Sequence, residues 1–74
     1  MQVTGTYNKW GYKVYDQADN LLYSAGNSPY DSQDYIKHGV SLRAIRKYCI
    51  STCKEIAKER KAQFLGVERI SDDE

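Results

Sequence analysis

The stretch SLRAIRKYCISTCKEIAKERKA, Ser41 to Ala62, decides how the rest of the chain must fold. Placed at about 100° per residue, Leu42, Ile45, Cys49, Cys53, Ile56 and Ala57 fall on one stripe, with Ile50 and Thr52 at its margins. That spacing predicts an amphipathic helix from Leu42 to about Ala62, with one face to be covered. Ser41 suits its N-cap, because a serine hydroxyl accepts from a free N–H of the first turn. The surface that covers this face has to come from the remaining residues.

Upstream, the pattern has period two. Trp10, Tyr12 and Val14 alternate with Lys13, as in a half-buried strand rich in aromatic and β-branched residues. Asp16 to Asn20 is a polar run suited to a turn, since Asn and Asp tolerate left-handed backbone. Leu21 to Ala25 then reads as the return strand, ended by Gly26 and Asn27. Val3 to Tyr7 is a candidate further strand. Phe64 to Ile70 reads as a closing strand, or as a frayed helix end with Gly66 as its stop. Gly26 to Val40 shows neither period; Asn27-Ser28-Pro29 breaks any helix, and Pro29 to Tyr35 has room for one helical turn. Loops of this length tend to be functional or disordered.

The expected fold is therefore α+β: a two-layer domain over residues 1–70 in the order β-β-α-β. In it, an antiparallel hairpin or sheet of two to four strands packs against one long amphipathic helix. A lone hairpin is marginal in water, so the helix must supply the other side of the core. Residues 71–74, Ser-Asp-Asp-Glu, are expected to form an acidic disordered tail.

Composition bounds the function. The chain has 74 residues, of which 41% are hydrophobic and 28% charged, so it makes one small folded domain rather than a disordered segment. No apolar run approaches the roughly 20 residues of a membrane helix. The start, MQVTGTYNKW, lacks the basic and apolar regions of a signal peptide. Two cysteines without such a signal point to a reducing compartment, so the expected location is cytoplasmic.

Cys49 and Cys53 share the apolar side of the helix. A structural zinc site usually takes four Cys or His ligands, and the chain adds only His38 to the two thiols. Redox pairs usually sit as Cys-x-x-Cys at a helix start, whereas these lie mid-helix with three residues between them. The reading is buried core thiols, with no metal and no cofactor. Asp31, Ser32, Asp34 and His38 have catalytic residue types without a catalytic spacing. Neither a phosphate-binding glycine loop nor a nucleophile elbow occurs. A non-enzymatic protein is expected.

Charge is uneven. Residues 41–63 carry seven basic side chains against Glu55 and Glu59, a balance of +5, whereas the whole chain is only +1. Arg43, Lys47, Lys54, Lys58 and Lys61 fall in a narrow stripe beside the core face, with the glutamates on its far side. Such a stripe reads first as the solvated face of an exposed helix; as a functional ridge it attracts an acidic protein surface or a nucleic-acid backbone, the latter disfavoured by a pI of about 7.7. Seven tyrosines and one tryptophan against one phenylalanine are more than one helix can roof. Tyrosine is enriched at protein interfaces, so Tyr30 and Tyr35 in the loop join the ridge as candidate partner-binding residues. The expected function is a small protein-interaction module of regulatory or assembly type, with homodimerisation through an edge strand a further option.

The runs Leu22 to Asn27 and Tyr30 to Gln33, the Cys49-centred helix, and Phe64 to Glu68 resemble short conserved hypothetical proteins of cyanobacteria over residues 12–70. That group carries no assigned activity, so the resemblance transfers no functional residue. It implies a cytoplasmic location and a tie to photosynthetic or regulatory physiology.

Overall fold

The computed structural model describes residues 1–27 and 32–72. Its elements run β1 (Gln2–Asn8), β2 (Gly11–Asp16), β3 (Leu21–Gly26), β4 (Asp34–Tyr35), α1 (Leu42–Glu59) and β5 (Gln63–Arg69). The five strands form one sheet in the order β4-β3-β2-β1-β5, and the helix lies across β1, β2 and β5 on one face of it. The α+β class and the two layers are as expected. The order β-β-α-β and the sheet of two to four antiparallel strands are met only in outline: there are five strands, four of them before the helix, and the sheet is mixed, with β5 parallel to β1 and β4 parallel to β3. A parallel neighbour needs a crossover connection, and α1 is the crossover that returns the chain to β1.

The hairpin forms where its period predicts. β2 and β3 pair antiparallel, with Tyr12 opposite Ala25 and Val14 opposite Tyr23. The Asp16 carboxylate organises the turn between them. Its Oδ1 accepts from the Ala18 and Asn20 N–H groups at 2.8 and 3.0 Å, and Asp19 takes the left-handed backbone at φ 62°. These bonds hold the Asp16 carboxyl below the usual aspartate range. Trp10 is a correction: it sits in the β1–β2 turn, 45% exposed, rather than on the inner face with Tyr12 and Val14.

The core lies between sheet and helix. Val3, Tyr12, Val14, Ala25, Ile45, Cys49, Cys53 and Ala57 are buried. Leu42 and Ile56 of the predicted stripe are half-buried at its margins. Ser41 caps α1 as predicted, accepting from the Ala44 N–H at 3.2 Å. The helix stops earlier than Ala62. Beyond Glu59 the Lys61 N–H reaches the Lys58 carbonyl at 3.3 Å and the Ala62 N–H reaches Ala57 at 2.8 Å. This is a Schellman closure with Lys61, at φ 53°, in the position glycine usually takes.

Between β3 and α1 the chain is better anchored than its composition suggests. The Gln33 N–H donates to the Ser24 carbonyl and the Ile36 N–H to the Gly26 carbonyl, at 2.9 and 2.8 Å. Asp34 and Tyr35 are thus strand, not part of a helical turn; Pro29 to Asp31 lie outside the described residues. Two residues leave no room for a period, so the alternation rule had nothing to act on. At the other end, Ser71 and Asp72 are tied to the β1–β2 turn: Asn8 Nδ2 donates to the Ser71 carbonyl at 3.1 Å and the Lys9 N–H to Asp72 Oδ1 at 3.0 Å. No described helix is long and apolar enough to cross a membrane.

Candidate functional site

The thiols come first because the ridge is defined by its angle to them. Cys49 and Cys53 are both free and fully buried. They stand over Gly5 of β1, where a Cβ would lie 2.6 Å from one sulfur and 2.7 Å from the other. Glycine is therefore what lets helix and sheet close on two sulfurs. The neighbouring thiol and burial push the Cys49 thiol well above its ordinary pKa, which disfavours the reactive thiolate. Among the described residues no group of three metal-ligating side chains comes together.

On the β2 side of the helix, Thr52 Oγ1 shares a 2.8 Å hydrogen bond with the Tyr12 hydroxyl. Burial of the Tyr12 ring raises its pKa. With β2 on the Thr52 side and Gly5 of β1 beneath Cys49 and Cys53, the strand order puts β5 on the opposite flank. At about 100° per residue, Arg43, Lys47, Lys54 and Lys58 form the shoulder of α1 above that flank. All of them are exposed, and none makes an ion pair within the described residues, where the pair found is Arg69 with Asp72 at 3.0 Å. Glu55 and Glu59 take the other shoulder. The predicted stripe thus exists on the helix, with one change. Lys61 lies past the helix end, in the left-handed position of the closing turn, so its helical angle no longer places it; it extends the ridge from the turn.

The tyrosines do not join the ridge. Tyr35 belongs to β4, at the opposite edge of the sheet from β5. It is 59% exposed, and its ring meets His38 edge-on at 6.3 Å between centroids. Tyr30 lies outside the described residues. Of the rest, Tyr12 is buried with its ring stacked on Tyr23, their centroids 6.0 Å apart, while Tyr48 is exposed on the helix. The candidates read together from the sequence therefore separate into a cationic shoulder over one edge and a tyrosine at the other.

The face of the sheet away from α1 holds a feature the sequence reading did not isolate. A groove of about 430 Å³ runs over β1, β2 and β3, bordered by Trp10, Tyr15 and Ile70. Its lining includes the paired Gly11 and Gly26, both buried. The signal was present in the sequence as Trp10-Gly11 and Ala25-Gly26, but only the register shows that the two glycines lie side by side. Compared with protein-family models, curated proteins and solved structures, the chain matches none.

Proposed function

We propose that the protein is a small non-enzymatic interaction module that binds an acidic surface of another protein through the exposed shoulder of α1. One observation carries this reading: Arg43, Lys47, Lys54 and Lys58 project together from a rigid helix without an ion pair to a carboxylate among the described residues. A helix holds such charges at fixed spacing, so an acidic partner meets them without ordering a loop first. Long-range attraction raises the encounter rate and weakens with salt. The half-buried Ile50 beside the ridge offers an apolar edge to the same contact. A nucleic-acid backbone is the lesser reading, because the net charge is only +1 and glutamates occupy the other shoulder.

The test pairs affinity capture from native extract with the variant Lys47→Glu/Lys54→Glu/Lys58→Glu. All three side chains are exposed, so the fold persists. A partner held by the native chain, released by salt and lost to the variant is the expected result. Capture that survives the reversal removes the ridge from the contact. Absence of a partner, together with salt-sensitive retardation of nucleic acid, transfers the ridge to the lesser reading.

A further inference from the structure

On the reading of the ridge as the partner-binding surface, we propose that the free edge of β5 takes up an extended acidic segment of that partner as an added strand, its carboxylates lying beside the cationic shoulder of α1. β5 ends the sheet and pairs on one side, with β1. An unpaired strand edge is a template for another chain. Recognition of this kind draws its affinity from main-chain hydrogen bonds and its specificity from alternate side chains.

The ladder shows which groups are free. The Ile70 N–H donates to the Tyr7 carbonyl at 2.9 Å, so Ile70 turns its backbone polar groups toward β1. Successive residues of a strand turn theirs to opposite sides. Val67 and Arg69 therefore aim N–H and C=O outward, where no strand pairs with them among the described residues. None of the seven residues of β5 is buried, and Leu65 is 51% exposed. Native edges are blunted by brevity, lysine, proline or a bulge. β5 has neither lysine nor proline. Its bulge falls at Leu65 and leaves Gly66 to Arg69 in unbroken register with Thr4 to Tyr7, and both outward-facing residues lie in this regular part.

Charge selects the occupant. Phe64 and Val67 pack against the core beneath α1, so the helix layer begins directly over β5. An added strand lies about 4.8 Å further out, below the shoulder that carries Arg43, Lys47, Lys54 and Lys58, all exposed. Its side chains alternate between the two faces, so a carboxylate at every second position meets that shoulder. Glu68, the carboxylate of β5, follows Val67 and takes the opposite face, which leaves the helix side to the cations. A second copy of this chain is the poorer occupant. Two copies joined through antiparallel β5 strands put both helices on one face of a continuous sheet, with their cationic shoulders facing each other across the seam. Like charges so placed repel.

Amide hydrogen exchange, followed residue by residue by NMR, reads the edge directly. The full chain is titrated with a peptide of alternating glutamate and valine, seven residues long like β5, and with its counterpart carrying lysine for glutamate. Saturable binding of the glutamate peptide is expected, with a dissociation constant on the order of 10⁻⁴ M. At saturation the Val67 and Arg69 N–H groups should exchange about tenfold more slowly or less. The lysine peptide binds several-fold more weakly, and Lys47→Glu/Lys54→Glu/Lys58→Glu removes that preference. Binding that leaves both amides in fast exchange overturns strand addition while the ridge reading stands. Equal binding of the two peptides by the native chain overturns the acidic partner and takes the ridge out of the contact with it. No saturable binding up to about 10 mM overturns the proposal, and the ridge reading then rests on its own capture test. Slow exchange of both amides in the free chain also overturns it, because the edge is then covered by a second copy.

Discussion

At Gly5 a single hydrogen atom sets the distance between the two layers. A methyl group there would sit 2.6 and 2.7 Å from the Cys49 and Cys53 sulfurs. Overpacking a closed core costs about 1–3 kcal/mol, so Gly5→Ala should lose stability of that order in urea unfolding. Adding Cys49→Ala opens space for the methyl, and the double variant should lose less than the sum of the two single changes. Strict additivity would place the clash elsewhere. The thiols were legible as core residues from their helical angle. Gly5 was not, because a glycine in a strand declares its partner only once register and layer are known. Asp16 gives a second residue-scale prediction. Its hydrogen bonds to Ala18 and Asn20 lower its folded-state pKa, so the unfolded chain takes up its proton first as acid is added. The stability it contributes is present above the ordinary aspartate value of about 3.9 and is lost as pH falls through the depressed one. Asp16→Asn keeps the side-chain oxygen and removes the titration. The variant should therefore show a shallower loss of stability below about pH 4, measured by urea unfolding across that range.

Elements were legible in proportion to how much periodicity they contain. The helix has five turns of it, and its start at Ser41–Leu42 and its inner stripe follow from sequence. Its end does not, because the position that closes it carries Lys61 rather than glycine. A non-glycine residue in the left-handed region costs about 1 kcal/mol, yet the Schellman bonds from Lys61 and Ala62 hold it there. Lys61→Gly should relieve that strain and gain about 0.5–1 kcal/mol, offset in part by the freer unfolded chain. Thermal unfolding should show a rise of a few degrees, and a fall would mean that the Lys61 side chain supports the closure. Losing this one cation should leave the capture of an acidic partner largely intact if the four helical cations form the contact. β4 lies at the other extreme: two residues placed by register alone, invisible to any rule that counts alternation.

Across the whole molecule, what the sequence concealed is which surfaces meet. Ridge and loop tyrosine were read as one docking surface because both are exposed and both suit an interface. The parallel return of β5 to β1 sends the cationic shoulder to one edge, while β4 carries Tyr35 to the other. The same topology delivers the segment after β5 to the β1–β2 turn. There Asp72 accepts from the Lys9 N–H and pairs with Arg69, while its own carbonyl receives the Trp10 indole. The position of the Trp10 ring thus depends on a residue 62 positions away in sequence. Asp72→Ala removes two of these links and leaves only the carbonyl. Exposed pairs contribute at most about 1 kcal/mol, so unfolding should change little while the Trp10 ring loosens. Its emission should shift to the red and its anisotropy fall. The ridge variant Lys47→Glu/Lys54→Glu/Lys58→Glu should leave both readouts where they are. If Asp72→Ala leaves emission and anisotropy unchanged, the turn holds Trp10 by itself, and the Asn8–Trp10 bond becomes the one that positions the ring.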